Sequence, residues 1–187
     1  SFGANYDNYN ATTYFGALYI QDKISFQGMN LNIGLRTDYW IPGRFVEDAV
    51  GDTSSIIITD DARSLFQKET FSFPWFGEPY RMKARLSPRF GISHPITDND
   101  VLYFYYGHFS QLPTFQYVYA KINSKAQSTY QVFGNPNLNP KTTVQYEIGI
   151  KHRFSEDQIL ELKAYWKDMF DYETSQTIKP SNPKYAH

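Results

Sequence analysis

Residues 81–96 read Arg81-Met82-Lys83-Ala84-Arg85-Leu86-Ser87-Pro88-Arg89-Phe90-Gly91-Ile92-Ser93-His94-Pro95-Ile96. Met82, Ala84, Leu86, Phe90, Ile92 and Ile96 fall on one side of a period-two repeat, and Arg81, Lys83, Arg85, Ser87, Arg89 and Ser93 on the other. Side chains alternate across a strand, so this pattern specifies a β-strand with one oily and one wet face. Pro88 sits inside the pattern and removes a ladder hydrogen bond, which predicts a bulge there.

Working outward, the same alternation recurs. Leu31, Ile33, Leu35 and Tyr39 oppose Asn32, Gly34, Arg36 and Asp38; Val144, Tyr146, Ile148, Ile150 and Phe154 oppose Gln145, Glu147, Lys151 and Arg153. Leu160, Leu162, Ala164, Trp166, Phe170 and Tyr172 oppose Glu161, Lys163 and Lys167. Two segments are less clean: 14–26 carries Asp22 among Leu18, Ile20, Ile24 and Phe26, and 101–111 is aromatic on both faces. Strands are expected at about 14–26, 31–42, 81–96, 101–111, 142–154 and 159–173. Helical periodicity is nearly absent.

Connection lengths alternate as well. Short turns at Gln27-Gly28-Met29-Asn30, Thr97-Asp98-Asn99-Asp100 and Ser155-Glu156-Asp157-Gln158 join strands into three hairpins. Between the hairpins lie long loops, 43–80 and 112–141, several times the usual connection of about 4–6 residues. Antiparallel strands then place every short turn at one end and every long loop at the other.

Composition narrows the function. Among 187 residues there are 18 basic and 19 acidic side chains and no Cys. That balance gives no basic signal for nucleic acid, and disulfides, thiolate zinc sites and thiol catalysis are excluded. The four His are dispersed without metal-ligand spacing, and no nucleophile elbow, phosphate loop or calcium loop occurs, so no metal, cofactor or enzymatic reaction is expected. Sixteen Tyr, 15 Phe and three Trp stand in a chain of mean hydropathy -0.53.

Strands of this length exceed the usual mode of about 5–6 residues and suit a membrane-spanning strand of about 9–11 plus overhang. In an outer-membrane barrel the apolar face meets lipid and the polar face lines a lumen, where large charged residues can align. The Arg81, Lys83, Arg85, Arg89 series favours that reading, and ring pairs such as Tyr39 with Trp40 are expected at the membrane interface. The expected fold is all-β: three antiparallel up-and-down hairpins, six strands. Six strands cannot close a barrel, since single-chain bacterial barrels begin at about eight. A soluble aromatic-rich β domain that binds carbohydrate is the alternative.

Four stretches resemble the TonB-dependent outer-membrane receptors, in particular their Bacteroidota-type branch. They are Tyr19-Ile20-Gln21-Asp22-Lys23-Ile24 with the 31–39 strand, Leu86-Ser87-Pro88-Arg89-Phe90-Gly91-Ile92-Ser93, Tyr105-Tyr106-Gly107-His108-Phe109-Ser110-Gln111-Leu112-Pro113, and Gly134-Asn135-Pro136-Asn137-Leu138-Asn139-Pro140 followed by Tyr146-Glu147-Ile148-Gly149. The resemblance implies a Gram-negative outer-membrane location and a barrel of about 22 strands with a plugged lumen. Residues 1–187 then form a mid-to-late portion of that barrel. Its expected partners are outer-membrane lipid, the rest of the barrel, the plug domain, the TonB system acting through the plug, and a surface lipoprotein lid over the loops. The implied function is substrate capture by the extracellular loops and TonB-energised uptake.

Within that frame the loop aromatics Trp75, Phe76, Tyr80, Phe115, Tyr117, Tyr119 and Tyr130 are candidate ligand-binding residues, because such rings stack on sugars or chelator rings. Arg36, Arg81, Arg85, Arg89, Glu147, Arg153 and Glu161 are candidate lumen and plug-facing residues, with cross-strand ion pairing as the purely structural alternative. The Gly134–Leu138 motif reads as a turn that re-enters the next strand.

Overall fold

The computed structural model describes residues 9–54, 58–75, 78–120, 122 and 133–175. In chain order they form β1 (Tyr14–Phe26), β2 (Met29–Ile41), α1 (Arg44–Gly51), α2 (Asp60–Glu69), β3 (Phe71–Trp75), β4 (Glu78–Pro95), β5 (Asp100–Gln111), α3 (Phe115–Tyr119), β6 (Lys141–Arg153) and β7 (Ile159–Phe170). The sheet order is β1-β2-β4-β5-β6-β7, antiparallel throughout, with β3 paired to β4 off this path. The fold is all-β and up-and-down, a run of barrel wall.

Register carries the two-faced pattern across the sheet, interrupted by Asp22 opposite Ile33. Ile20 lies opposite Leu35, Ile33 opposite Phe90, Ile92 opposite Phe104, Phe104 opposite Ile148, and Ile150 opposite Leu162. These positions share one face. Its larger side chains stay open to the surroundings: Leu18 is 74% exposed, Ile20 72%, Leu162 61% and Trp166 66%. So continuous an apolar surface is far from what a water-soluble monomer presents, and it suits contact with lipid. No second sheet or layer covers this face among the described residues.

Short turns collect at one end. The two-residue turn between β1 and β2 has positive φ at both Gln27 (47°) and Gly28 (79°), the backbone whose twist matches a tight hairpin. The opposite end is more ordered than the sequence predicts. The 43–80 stretch contains α1, α2 and β3, β4 starts at Glu78, and the 112–141 stretch contains α3. Helix α2 is started by Thr59, whose Oγ1 accepts from the Ala62 N–H at 3.3 Å. Its first turn holds Asp60 and Asp61, which complement the helix dipole.

The expected bulge at Pro88 does not form. Pairing of β4 with β2 runs without interruption from Asn30↔Ser93 to Trp40↔Lys83, with Pro88 opposite Leu35. What changes at Pro88 is the other edge: pairing with β5 covers Pro95↔Val101 to Arg89↔Gly107 and stops there. Proline has no N–H to give to a ladder, so a two-sided strand becomes one-sided at this point.

The hydrophobic core lies above the sheet. Trp40, Val46, Ala49, Val50, Ile58, Phe66, Val118, Tyr119 and Ile122 are buried together, drawn from the end of β2 and from the loop segments. Trp40, expected at the membrane interface with Tyr39, is fully buried here. Its Nε1 donates to Thr13 Oγ1 at 2.9 Å, and that hydroxyl donates to the Ile41 carbonyl at 2.9 Å. Trp40 lies on the polar-face parity of β2, beyond the lipid-facing rows, so the loop helices cover it. The loop end is thus a packed cap standing on the barrel wall.

Candidate functional site: the inner wall and the loop cap

The polar face is built by the residues between the lipid-facing ones. Arg36 makes a forked contact with Asp38 along its own strand, with Nη2 to Oδ1 at 2.7 Å and Nε to Oδ1 at 2.9 Å. Arg89 lies over the Phe109 ring at 4.9 Å from its centroid. Between Arg36 and Arg89, Gly34 leaves a recess of about 220 Å³ bordered by Tyr19 and Gln21. Glu147 accepts from Gln145 Nε2 at 3.3 Å, and Glu161 accepts from the Tyr103 hydroxyl at 2.9 Å with Lys163 at 3.9 Å. Arg153 is exposed at the short-turn end.

Tyr103 reaches Glu161 by lying flat across β6. Gly149 is its direct partner in register, and a Cβ built there would collide with the Tyr103 ring and hydroxyl. A glycine under a cross-strand aromatic is a recognised way to keep a curved sheet packed.

Arg85 and Arg81 reach beyond their own strand. Arg85 Nη2 meets Asp171 Oδ2 at 2.8 Å, although β5 and β6 lie between β4 and β7. Three strand spacings of about 4.8 Å would separate these strands by roughly 14 Å in a flat sheet. The contact joins two strands that β5 and β6 separate, at the loop end of the sheet. Arg81 is drawn into the cap: its Nη1 donates to the Gln67 carbonyl and to Thr70 Oγ1, both at 3.2 Å, and its backbone N–H donates to Glu47 Oε1 at 2.7 Å. A cation at the carboxyl end of α2 satisfies carbonyls that the helix leaves open. The close ion contacts seen on this face run along a strand or into the loops, while Arg85 lies opposite Asp38 and Glu161 opposite Lys151 in register.

The cap also sorts the loop aromatics. Tyr117 is 46% exposed on α3, while Phe115 is half-buried and packs edge-on against Tyr119 at 5.8 Å. Tyr80 is half-buried near Tyr14, ring centroids 6.4 Å apart. Tyr119, expected as a capture residue, belongs to the core: it is 1% exposed and its hydroxyl donates to the Pro42 carbonyl at 2.8 Å. Burial pushes that hydroxyl above the ordinary tyrosine value. Phe76 and Tyr130 lie outside the described residues, as does the side chain of Trp75.

Beyond β7, Glu173 Oε1 accepts from the Thr114 N–H at 2.7 Å, and Oε2 meets Lys141 Nζ at 3.0 Å. Burial works against its charge, but these two contacts prevail and hold the carboxyl below its ordinary value. This contact ties the chain after β7 to the start of α3.

Sequence reasoning missed Lys83 as a residue of consequence. It appeared as one of four cations on a strand face, yet it is 3% exposed. Its Nζ donates to the Asn137 carbonyl at 2.9 Å, the Leu138 carbonyl at 3.0 Å, Asn139 Oδ1 at 3.1 Å and Asn137 Oδ1 at 3.4 Å. The signal available was the Asn-Pro-Asn-Leu-Asn-Pro run, rich in acceptors, and a lysine has no acceptor of its own to offer.

No curated protein matches the chain in sequence. The model of the family described as TonB dependent receptor-like, beta-barrel matches residues 1–185. An up-and-down sheet with one lipid-compatible face, a charged opposite face and a structured loop cap suits the wall of such a barrel, and the chain belongs to the TonB-dependent receptor-like β-barrel family of outer-membrane transport proteins.

Proposed function

We propose that this chain forms wall and extracellular cap of a receptor that captures a solute on its long loops and passes it inward through the lumen, past a plug moved by the TonB system. The observation that carries this reading is the separation of an apolar from a charged sheet face across the strands, with the helical cap confined to one end. Tyr117 and Phe115 on α3, Tyr80 at the start of β4, and the segments bearing Trp75, Phe76 and Tyr130 supply rings for capture. Arg36, Arg89, Glu147, Arg153 and Glu161 face the plug and the passing solute. The Bacteroidota-type likeness of the four motifs, and a surface lipoprotein lid over the loops, belong to the same proposal.

Topology and transport are tested together in cells carrying the full-length receptor. Tyr117→Cys should react with a membrane-impermeant maleimide on intact cells, and Ser155→Cys only after the outer membrane is permeabilised. Uptake of at least one labelled solute from a panel of a glycan, a ferric siderophore, haem and a peptide should depend on the receptor and vanish when the proton-motive force is collapsed. Labelling of Ser155→Cys from outside, or receptor-dependent uptake indifferent to the proton-motive force, would overturn the reading.

A further inference from the structure

The segment from Gly134 to Pro140 touches three parts of the cap and wall. The Gly134 N–H donates to the Ala120 carbonyl at 2.7 Å and the Asn135 N–H to the Tyr117 carbonyl at 2.7 Å, which fastens the segment to α3. Asn139 Nδ2 donates to Glu69 Oε2 at 3.4 Å, at the end of α2. Lys83 fastens it to β4. Within the segment, the Asn137 N–H donates to Asn135 Oδ1 at 2.9 Å and the Leu138 N–H to the Asn135 carbonyl at 3.2 Å, so the chain is wound tightly and its oxygens converge on one point.

Two carbonyls and two side-chain amide oxygens around a single nitrogen make a cage shaped for a cation. The cage also sits where β4 has lost β5 as a partner, on the loop side of Pro88. There the wall is joined by no ladder between the two strands, and side-chain contacts through the segment take its place.

We propose that Lys83 is the resident cation of an oxygen cage formed by Asn137, Leu138 and Asn139, and that this cage straps the cap to the wall and thereby positions α3. The inference rests on the capture reading only in giving α3 a purpose; the strap itself is a statement about this site. Removing the ammonium leaves the oxygens facing one another without a donor, and the strap opens locally. A small free ammonium ion can then take the vacated place. A strap of this kind can release the 134–140 segment and loosen α3 while the barrel stays intact.

The test uses the full-length receptor reconstituted in lipid vesicles, with hydrogen exchange read on peptides covering 133–140 and 115–120 and on a control peptide in β6. Lys83→Ala should raise exchange in the first two by about ten-fold or more, the scale of losing hydrogen bonds from a charged donor, and leave the control unchanged. Methylammonium added to Lys83→Ala should restore protection to within about three-fold of the parent, whereas sodium at equal ionic strength should restore less. Exchange unchanged in Lys83→Ala, or raised but indifferent to methylammonium, overturns the proposal. If Lys83→Ala does not assemble, Asn139→Ala, which removes one of the four acceptors, should speed exchange of 133–140 by a few-fold; parental exchange there overturns it equally. Normal strap behaviour with no receptor-dependent uptake would count against the capture reading alone.

Discussion

Ile148 and Glu147 are adjacent in β6 and face opposite ways, which makes them a controlled comparison. Ile148 is 51% exposed, near the middle of a 13-residue strand, between Phe104 of β5 and Ala164 of β7. If that face meets lipid, Ile148→Arg places a charge close to the bilayer midplane at a cost of about 2–4 kcal/mol. Converted at about 1.36 kcal/mol per decade, the folding equilibrium falls roughly 30- to 900-fold. If the face met water, a half-exposed Ile→Arg change would stay within about 0.5 kcal/mol. Glu147→Gln, on the polar face with one 3.3 Å contact from Gln145, should cost less than about 1 kcal/mol. The assay is urea titration of the intact receptor folding into lipid vesicles, followed by tryptophan fluorescence and by heat-modifiable gel mobility. Equal effects from the two substitutions, or a larger one from Glu147→Gln, would refute the assignment of faces.

Three further outcomes follow from the packing. Trp40→Ala empties the centre of the loop core and leaves Thr13 without its indole donor, so the cap should lose about 3–5 kcal/mol and become sensitive to protease while the barrel keeps its heat-modifiable mobility. Gly149→Val drives the Tyr103 ring off β6 and breaks its bond to Glu161, costing about 1–3 kcal/mol in the same urea assay, whereas Gly34→Ala, whose nearest contacts would be 3.7–3.8 Å, should be close to neutral. The carboxyl of Glu173 is held low, so the stability it contributes is present above its unfolded-state value and disappears only as pH falls through the lower folded value. The Thr114 amide resonance should therefore titrate with a midpoint below 4.5, the ordinary glutamate value, and Glu173→Gln should abolish that titration; a midpoint at or above 4.5 would contradict the contact.

Strand character, facing and hairpin order were legible because a strand's period of two is local and survives in any window of eight residues. The cap was not legible for the same kind of reason. Helix α1 spans eight residues, and its apolar spacing, Val46 with Ala49 and Val50, is too short a run to stand out against a β-rich background. The Thr59-Asp60-Asp61 start of α2 is a helix-start signal, an N-cap threonine followed by two carboxylates. On the polar face, Arg36, Arg89, Glu147 and Glu161 could be placed from parity alone, but the partners of Arg81 and Arg85 lie on other elements and carry no trace in the local pattern.

The sequence by itself determined a two-faced antiparallel sheet and the family to which it belongs, since alternation and turn chemistry are written in neighbouring residues. Only the tertiary structure decided that Trp40 and Tyr119 are core, that Pro88 ends one pairing without breaking the other, and that Lys83 is enclosed by oxygens 54 to 56 residues away. Each of those depends on where distant segments come to rest, and burial, unlike parity, is a property of the assembled chain.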